Sequence, residues 1–204
     1  MTDTAAGARR LRTSAAPEEQ ESVILASARR EFSEVGVRRA SMDAIAKAAG
    51  ISRSTLYRRF PNKDVLLSKV GELIAIETLQ RLAIAVHNLP PRDAVVAAFV
   101  EYTRFVGDDP LVRHLLVEEP ELADVMMGRS SRGADEFLER STLTVASTLR
   151  QTGARMPDTD LELVAEHLVR IAFSLTQVRT SRLDLANPAT IENYATKFLA
   201  PLVF

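Results

Sequence analysis

The stretch from Ser41 to Lys63, SMDAIAKAAGISRSTLYRRFPNK, constrains the chain more than any other, because its spacing leaves room only for two short helices joined by a tight turn. Met42, Ile45, Ala46 and Ala49 fall at the i, i+3, i+4, i+7 positions of one helical face, and Ser41 stands immediately before them as the expected N-cap. Gly50 can take the left-handed conformation that ends a helix without the steric cost of a side chain. Ser52 offers a second N-cap, Leu56 and Phe60 lie four apart on one face, and Pro61 closes the segment. The pattern predicts a helix-turn-helix whose apolar faces pack inward.

At about 100° per residue, the directions away from Leu56 and Phe60 belong to Ser54, Thr55 and Arg58, flanked by Arg53 and Tyr57. A small, polar, basic outer face allows close approach to a DNA groove, where arginine reads guanine O6 and N7. A solvated helical hairpin would also carry such a face. Lys63 weighs against that reading, since it follows the expected cap Asn62 at a helix start, where the helix dipole disfavours a cation unless a phosphate lies near.

The same residues closely resemble the TetR (tetracycline-repressor-like) family of regulators, whose signature is a capped IA-x-x-AG-[IV]-S, then TLY-x-x-F, then K. Here these elements are Ile45-Ala46, Ala49-Gly50-Ile51-Ser52, Thr55-Leu56-Tyr57, Phe60 and Lys63. Ser54 stands where many members have glycine. The motif-level match spans roughly Gln20 to Leu67; the rest resembles the family in length and helical pattern. The implied fold is all-α, with a three-helix DNA-binding domain over 18–67 and a helical ligand-binding and dimerisation domain over 68–204, preceded by a flexible tail over 1–17. The DNA-binding set is Ser41, Arg53, Ser54, Thr55, Tyr57, Arg58 and Lys63, with Tyr57 and Lys63 on phosphates and Arg53 and Arg58 at base edges. The resemblance also implies a homodimeric repressor on a palindromic double-stranded operator, released by a small-molecule ligand. An activator of the same build, a ligand-independent architectural or chromosome-associated DNA-binding protein, and an enzyme carrying a helix-turn-helix stand as alternatives.

Charge is divided along the chain. Residues 1–70 carry 13 Lys/Arg against 8 Asp/Glu, a net +5, whereas residues 71–204 carry 13 against 19, a net −6. Basic residues that neutralise phosphates and release counterions supply most non-specific DNA affinity, so the N-terminal third is the nucleic-acid side. Cysteine is absent, which excludes disulfides and thiolate metal sites. No apolar run approaches the ~18 residues of a membrane span, and no signal-peptide core opens the chain, so a soluble, cytoplasmic protein without membrane contact is expected.

Around the helix-turn-helix, Ile24, Ala28, Phe32 and Val35 predict a covering helix from Glu18 to Gly36, with Phe32 its main packing residue. Arg9, Arg10 and Arg12 lie in a tail without apolar periodicity, for which a solvated reading outweighs a minor-groove arm. Asn62 opens a long helix predicted to reach Asn88, the mechanical link between the two domains. Prolines and glycines then punctuate helices over Arg92–Val106, Leu111–Glu118, Glu121–Met127 and about Ala134–Gln151.

In the second domain, Phe99, Tyr102, Phe105, Met126, Met127 and Phe137 are the candidate lining of a small-molecule pocket, since aromatic and Met side chains adapt to irregular apolar ligands. The expected ligand is apolar, with Arg104 and Arg113 available to a carboxylate. Val164, Leu168, Ile171 and Leu175 form a heptad-like seam, and Pro188 starts a last helix with Ile191 and Phe198 on one stripe. By the resemblance, Val164, Leu168, Ile171, Leu175, Ile191 and Phe198 form a four-helix dimer interface; packing within one subunit would use the same stripes. His87, His114 and His167 show no metal-ligand spacing, and neither a phosphate-cradling loop nor a G-x-S-x-G nucleophile elbow occurs. No catalytic residue, metal or cofactor is assigned, and the expectation is a protein that is not an enzyme.

Overall fold

The computed structural model describes residues 17–117, 119, 121–122, 125, 133–177 and 183–204, and these residues form helices without a strand. The tail over 1–16, with its three arginines, and Met126 and Met127 lie outside the described residues.

The first helix, α1, runs Pro17–Val35, one residue earlier than the sequence predicts, because Pro17 suits a first helical turn that has no use for its missing N–H. Glu18 and Glu19 follow at the positive end of the helix dipole. Ile24, Ala28 and Phe32 are fully buried. Truncating Phe32 to alanine is expected to cost about 3–5 kcal/mol. Gly36 ends α1 with φ +80°, and His114 lies 2.6 Å from where a Cβ would sit. Glycine is therefore favoured there by backbone conformation, and any side chain would also have to displace the His114 ring.

Helices α2 (Met42–Ala48) and α3 (Arg53–Arg59) make the helix-turn-helix. The Ser41 hydroxyl accepts from the Asp43 amide at 3.2 Å, and Ser52 accepts from the Thr55 amide at 3.1 Å, so both predicted caps satisfy amides that helix geometry leaves open. Gly50, with φ +69°, turns the chain so that the Ile51 amide reaches back to the Ala46 carbonyl at 3.0 Å. Met42, Ile45, Ala46, Ala49, Leu56 and Phe60 are all buried, the inward face expected from their spacing.

Asn62 caps α4 (Lys63–Ala85) through the Val65 amide at 2.9 Å. At 1.5 Å per residue α4 is about 35 Å long. It stops short of the predicted Asn88, which adopts φ +61° in the turn that follows. Next come α5 (Pro91–Asp108), α6 (Pro110–Val117), α7 (Gly133–Gln151) and α8 (Asp158–Gln177). The last helix, α9 (Pro188–Tyr194), widens into a π turn over Ala195–Leu199 and ends as a 3₁₀ turn over Ala200–Leu202.

Two buried clusters hold these helices. The first gathers Ile24, Phe32, Ile45, Leu56, Leu66 and Leu67 from α1 to α4 and continues through Phe105 of α5 and Leu111 and Leu115 of α6. The second joins α5, α7, α8 and α9 through residues such as Val95, Phe99, Leu149, Leu161, Ile191 and Leu199. The chain end is pinned into it: the Phe204 carbonyl accepts from the Arg155 amide at 2.8 Å and from the Met156 amide at 3.1 Å.

Candidate nucleic-acid interface and ligand cavity

The cap on Ser52 aims α3 outward with Arg53, Ser54, Tyr57 and Arg58 exposed and Thr55 half-buried. The Ser52 hydroxyl lies 2.9 Å from the Ser54 hydroxyl and 2.8 Å from that of Thr55, which fixes both short side chains at the start of the helix. Arg53 pairs with Asp43 of α2 at 2.7 Å, with both side chains well exposed. Such a surface pair contributes little and opens readily to a stronger anion.

Lys63 differs from the sequence expectation. Its ammonium donates to the Arg38 carbonyl at 2.9 Å and to the Ala40 carbonyl at 3.2 Å. The conflict between a cation and the start of α4 is relieved inside the subunit, by two carbonyls of the loop ahead of Ser41, rather than by a phosphate alone. An ammonium has three hydrogens, so one remains for an outside acceptor. Ser41 is exposed and acts as a cap.

Two carboxylates that the sequence did not single out bind this head to the rest. Glu119, almost wholly buried, accepts from the Val37 amide at 3.0 Å and the Arg38 amide at 3.1 Å, while Arg38 also pairs with Glu121. His114 Nε2 of α6 lies 3.6 Å from the same Glu119 carboxylate. Asp109 caps α6 through the Val112 amide at 2.9 Å and receives Arg29 of α1 at 2.5 Å. Arg29 also donates to Glu77 of α4 at 2.8 Å. Burial works to lower the Arg29 pKa, but its hydrogen bonds to Glu77 and Asp109 raise it overall, while the Arg29 hydrogen bond holds Glu77 below the usual carboxylate range.

A cavity of about 330 Å³ opens among α4, α5, α7 and α8, of a size that accepts a drug-sized molecule. Phe99, Tyr102, Phe105 and Phe137 all line it, together with Phe173 of α8, which sequence reasoning missed. Phe137 stacks obliquely on Phe173 at 5.5 Å between centroids, and Tyr102 meets Phe173 edge-on at 6.4 Å. Phe173 lies between Ile171 and Leu175 of the predicted seam, and a bulky aromatic displaced from that spacing was the signal available. Arg104 and Arg113 are exposed and outside the lining, and Arg104 is held by Glu101 at 2.7 Å, so neither serves the carboxylate role expected of it.

The seam residues are not a free surface in one subunit. Leu168 and Ile191 are 9% and 1% exposed and belong to the second buried cluster, with Val164, Ile171 and Leu175 partly buried against it. The physical reason in α9 is the π turn. Inward residues recur at Ile191, Ala195 and Leu199, four apart each time, and this underwinding leaves Phe198 55% exposed. Leu163 of α8, which the seam passed over, is 67% exposed. Among the described residues no three of His, Asp or Glu gather as a metal site, and no helix is long and apolar enough to cross a membrane.

Comparison with known proteins agrees with this architecture at both ends. The family description "Bacterial regulatory proteins, tetR family" matches residues 24–70, and "Bacterial Tetracyclin repressor, C-terminal domain" matches residues 90–180. The chain is 28% identical over 159 residues to the HTH-type transcriptional regulator UidR of Escherichia coli K12, covering 74% of this chain and 77% of that protein. It is 23% identical over 161 residues to the HTH-type regulator YhgD of Bacillus subtilis, covering 77% and 82%. Among solved structures, the TetR family repressor AlkX from a Dietzia strain superposes with a TM-score of 0.70 at 21% identity, covering 91% of this chain and 94% of that one. RolR in complex with resorcinol superposes with a TM-score of 0.62 at 17% identity, covering 91% and 88%. A capped helix-turn-helix with its basic face outward, a helical second unit and matches to both halves together identify the chain as a member of the TetR family of helix-turn-helix transcriptional regulators.

Proposed function

We propose that this chain is a repressor that binds a palindromic operator as a homodimer and lets go when an apolar small molecule enters the cavity. In this reading residues 18–67 contact DNA and residues 68–204 bind the ligand and the second subunit; neither part catalyses a reaction. One observation carries the proposal: α4 supplies both the cavity wall, through residues such as Ala75, Leu79 and Leu82, and Lys63, whose ammonium holds the loop ahead of the helix-turn-helix. A ligand that fits only one tilt of α4 therefore favours one setting of α3.

A second route supports the same coupling. Phe105 and Val112 line the cavity on either side of the α5–α6 turn, and that turn carries Asp109, the partner of Arg29. Beyond α6 lies Glu119, which grips the Val37 and Arg38 amides. A ligand shifts DNA affinity only by its different affinities for the two states, and a coupling of about 1–3 kcal/mol corresponds to roughly 5–150-fold loosening. For dimerisation, Leu163 of α8 and Phe198 of α9 supply exposed apolar surface on the two helices that the family pairs, which supports an interface built on these rather than on Leu168 and Ile191. RolR, structurally similar, holds resorcinol in its solved complex, which supports a cavity of this fold as a site for a small organic molecule.

The test is to titrate DNA from the region upstream of the protein's own coding sequence, with and without a ligand that binds the cavity. Operator affinity that falls with ligand, matched by ligand affinity that falls equally with operator, is the expected result. Tight ligand binding indifferent to operator would refute the coupling.

A further inference from the structure

Four threonines of the cavity wall share one property. Thr78 of α4 donates its hydroxyl hydrogen to the Ile74 carbonyl at 2.7 Å, and on α7 Thr144 and Thr148 donate to Arg140 and Thr144 carbonyls at 2.8 Å. Thr176 of α8 donates to the carbonyls of Ala172 and Phe173, both at 3.0 Å. A threonine hydroxyl has one hydrogen, so each of these four presents only lone pairs elsewhere. All four line the cavity.

Tyr102 extends the argument. Its hydroxyl lies 3.3 Å from the Thr176 hydroxyl oxygen. Since the Thr176 hydrogen is held by its own helix, Tyr102 is the donor of that pair, and its oxygen too is left with lone pairs. Burial pushes the Tyr102 phenol up to about 12, against a smaller lowering by Thr176, so the hydrogen stays in place throughout the physiological range. The charged lining leans the same way: the carboxylates of Glu72 and Glu136 outnumber the guanidinium of Arg140.

We propose that the cavity selects an uncharged, mainly apolar molecule bearing a hydroxyl donor, a phenol or an alcohol, whose hydrogen goes to the Tyr102 oxygen, and that it discriminates against carboxylates and ethers of the same shape. The inference rests on the cavity being the effector site. Beside Tyr102 and the four threonines a ligand carboxylate would face lone pairs rather than hydrogens, and an ether oxygen would leave its own lone pairs and those of Tyr102 unpaired.

Calorimetric titration of the full-length protein with 4-hexylphenol, 4-hexylanisole and 4-hexylbenzoate tests this directly. The phenol is expected to bind about 10-fold more tightly than the anisole, the value of one hydrogen bond, and the benzoate most weakly. Tyr102→Phe should erase the phenol's advantage over the anisole while the helix content stays unchanged. Thr176→Val removes the acceptor that holds the Tyr102 hydrogen and should make the anisole bind more tightly than in the unaltered protein, an effect that loss of structure would not produce. Equal binding of phenol and anisole, or tighter binding of the benzoate, overturns the donor requirement while leaving the cavity as a ligand site. Failure of all three probes to bind overturns both readings.

Discussion

The Glu119 carboxylate accepts a hydrogen bond from the Val37 amide at 3.0 Å, across 82 positions of sequence, and so fastens the segment after α6 to the loop that leads into the helix-turn-helix. Its second oxygen takes the adjacent Arg38 amide. Glu119→Gln would turn an NH₂ group toward one of these donors, and the expected cost is about 1–3 kcal/mol of stability. Hydrogen exchange at the Val37 and Arg38 amides should quicken in that variant while the amides within α3 stay protected. Unchanged exchange at both positions would show that the latch does not hold the loop.

Arg58 and Lys63 should separate in their effects on DNA. Arg58 is exposed on the outer face of α3, whereas Lys63 is half-buried and tied to the loop carbonyls. Arg58→Ala is expected to cost about 1–3 kcal/mol on the operator and little on random sequence, while Lys63→Ala weakens both alike and lowers the salt slope by about one. Fluorescence anisotropy at several salt concentrations distinguishes them, and an equal loss on both DNAs for Arg58→Ala would remove it from base reading.

For the dimer, light scattering after size exclusion provides the check. Charged replacements at the exposed positions, Leu163→Glu with Phe198→Glu, are expected to give a monomer of unchanged helix content. Leu168→Glu, by contrast, places a charge in a position only 9% exposed and should unfold the subunit rather than dissociate it. A dimer that survives the double change would put the interface on other surfaces.

Acid should weaken the Arg29 bridge through Glu77. The hydrogen bond from Arg29 holds this carboxyl below its ordinary 4.5, against the opposing effect of burial. Between the two values the unfolded chain binds more protons than the folded one, so stability rises with pH there. The contribution is complete above about 4.5 and is lost as pH falls through the folded value. Urea titrations of the unaltered protein and Glu77→Gln should differ at pH 7 by no more than about 1 kcal/mol and converge in acid. A difference that persists at low pH would exclude the proposed linkage.

The helix-turn-helix was legible in the sequence because everything that shapes it is local. Ser41, Ser52 and Asn62 cap amides two or three residues away, and Gly50 turns the chain between its immediate neighbours. Four of the proposed aromatic lining residues also fall on the cavity, since Phe99, Tyr102 and Phe105 share one helix and Phe137 a neighbouring one. What periodicity does not carry is the identity of the partner. The stripe through Leu168 and Ile191 marks an apolar face whether it meets another helix of the same subunit or a second copy. A π turn moves Leu199 in and Phe198 out without leaving a pattern that a 3.6-residue count would catch. Lys63 was recognised as anomalous, yet its partners, 23 and 25 positions upstream, are set by tertiary packing.

The first buried cluster runs without a break from Ile24, Phe32 and Leu56 to Phe105, Leu111 and Leu115. The surface that reads DNA therefore rests on a floor made by α5 and α6, far beyond the last residue that would touch a phosphate. A chimera that joins this head to a foreign sensor at the first turn of α4 would strip that floor away and expose the underside of α1. The smallest exchangeable part is a discontinuous one, in which α6 travels with the helix-turn-helix although about a quarter of the chain separates them.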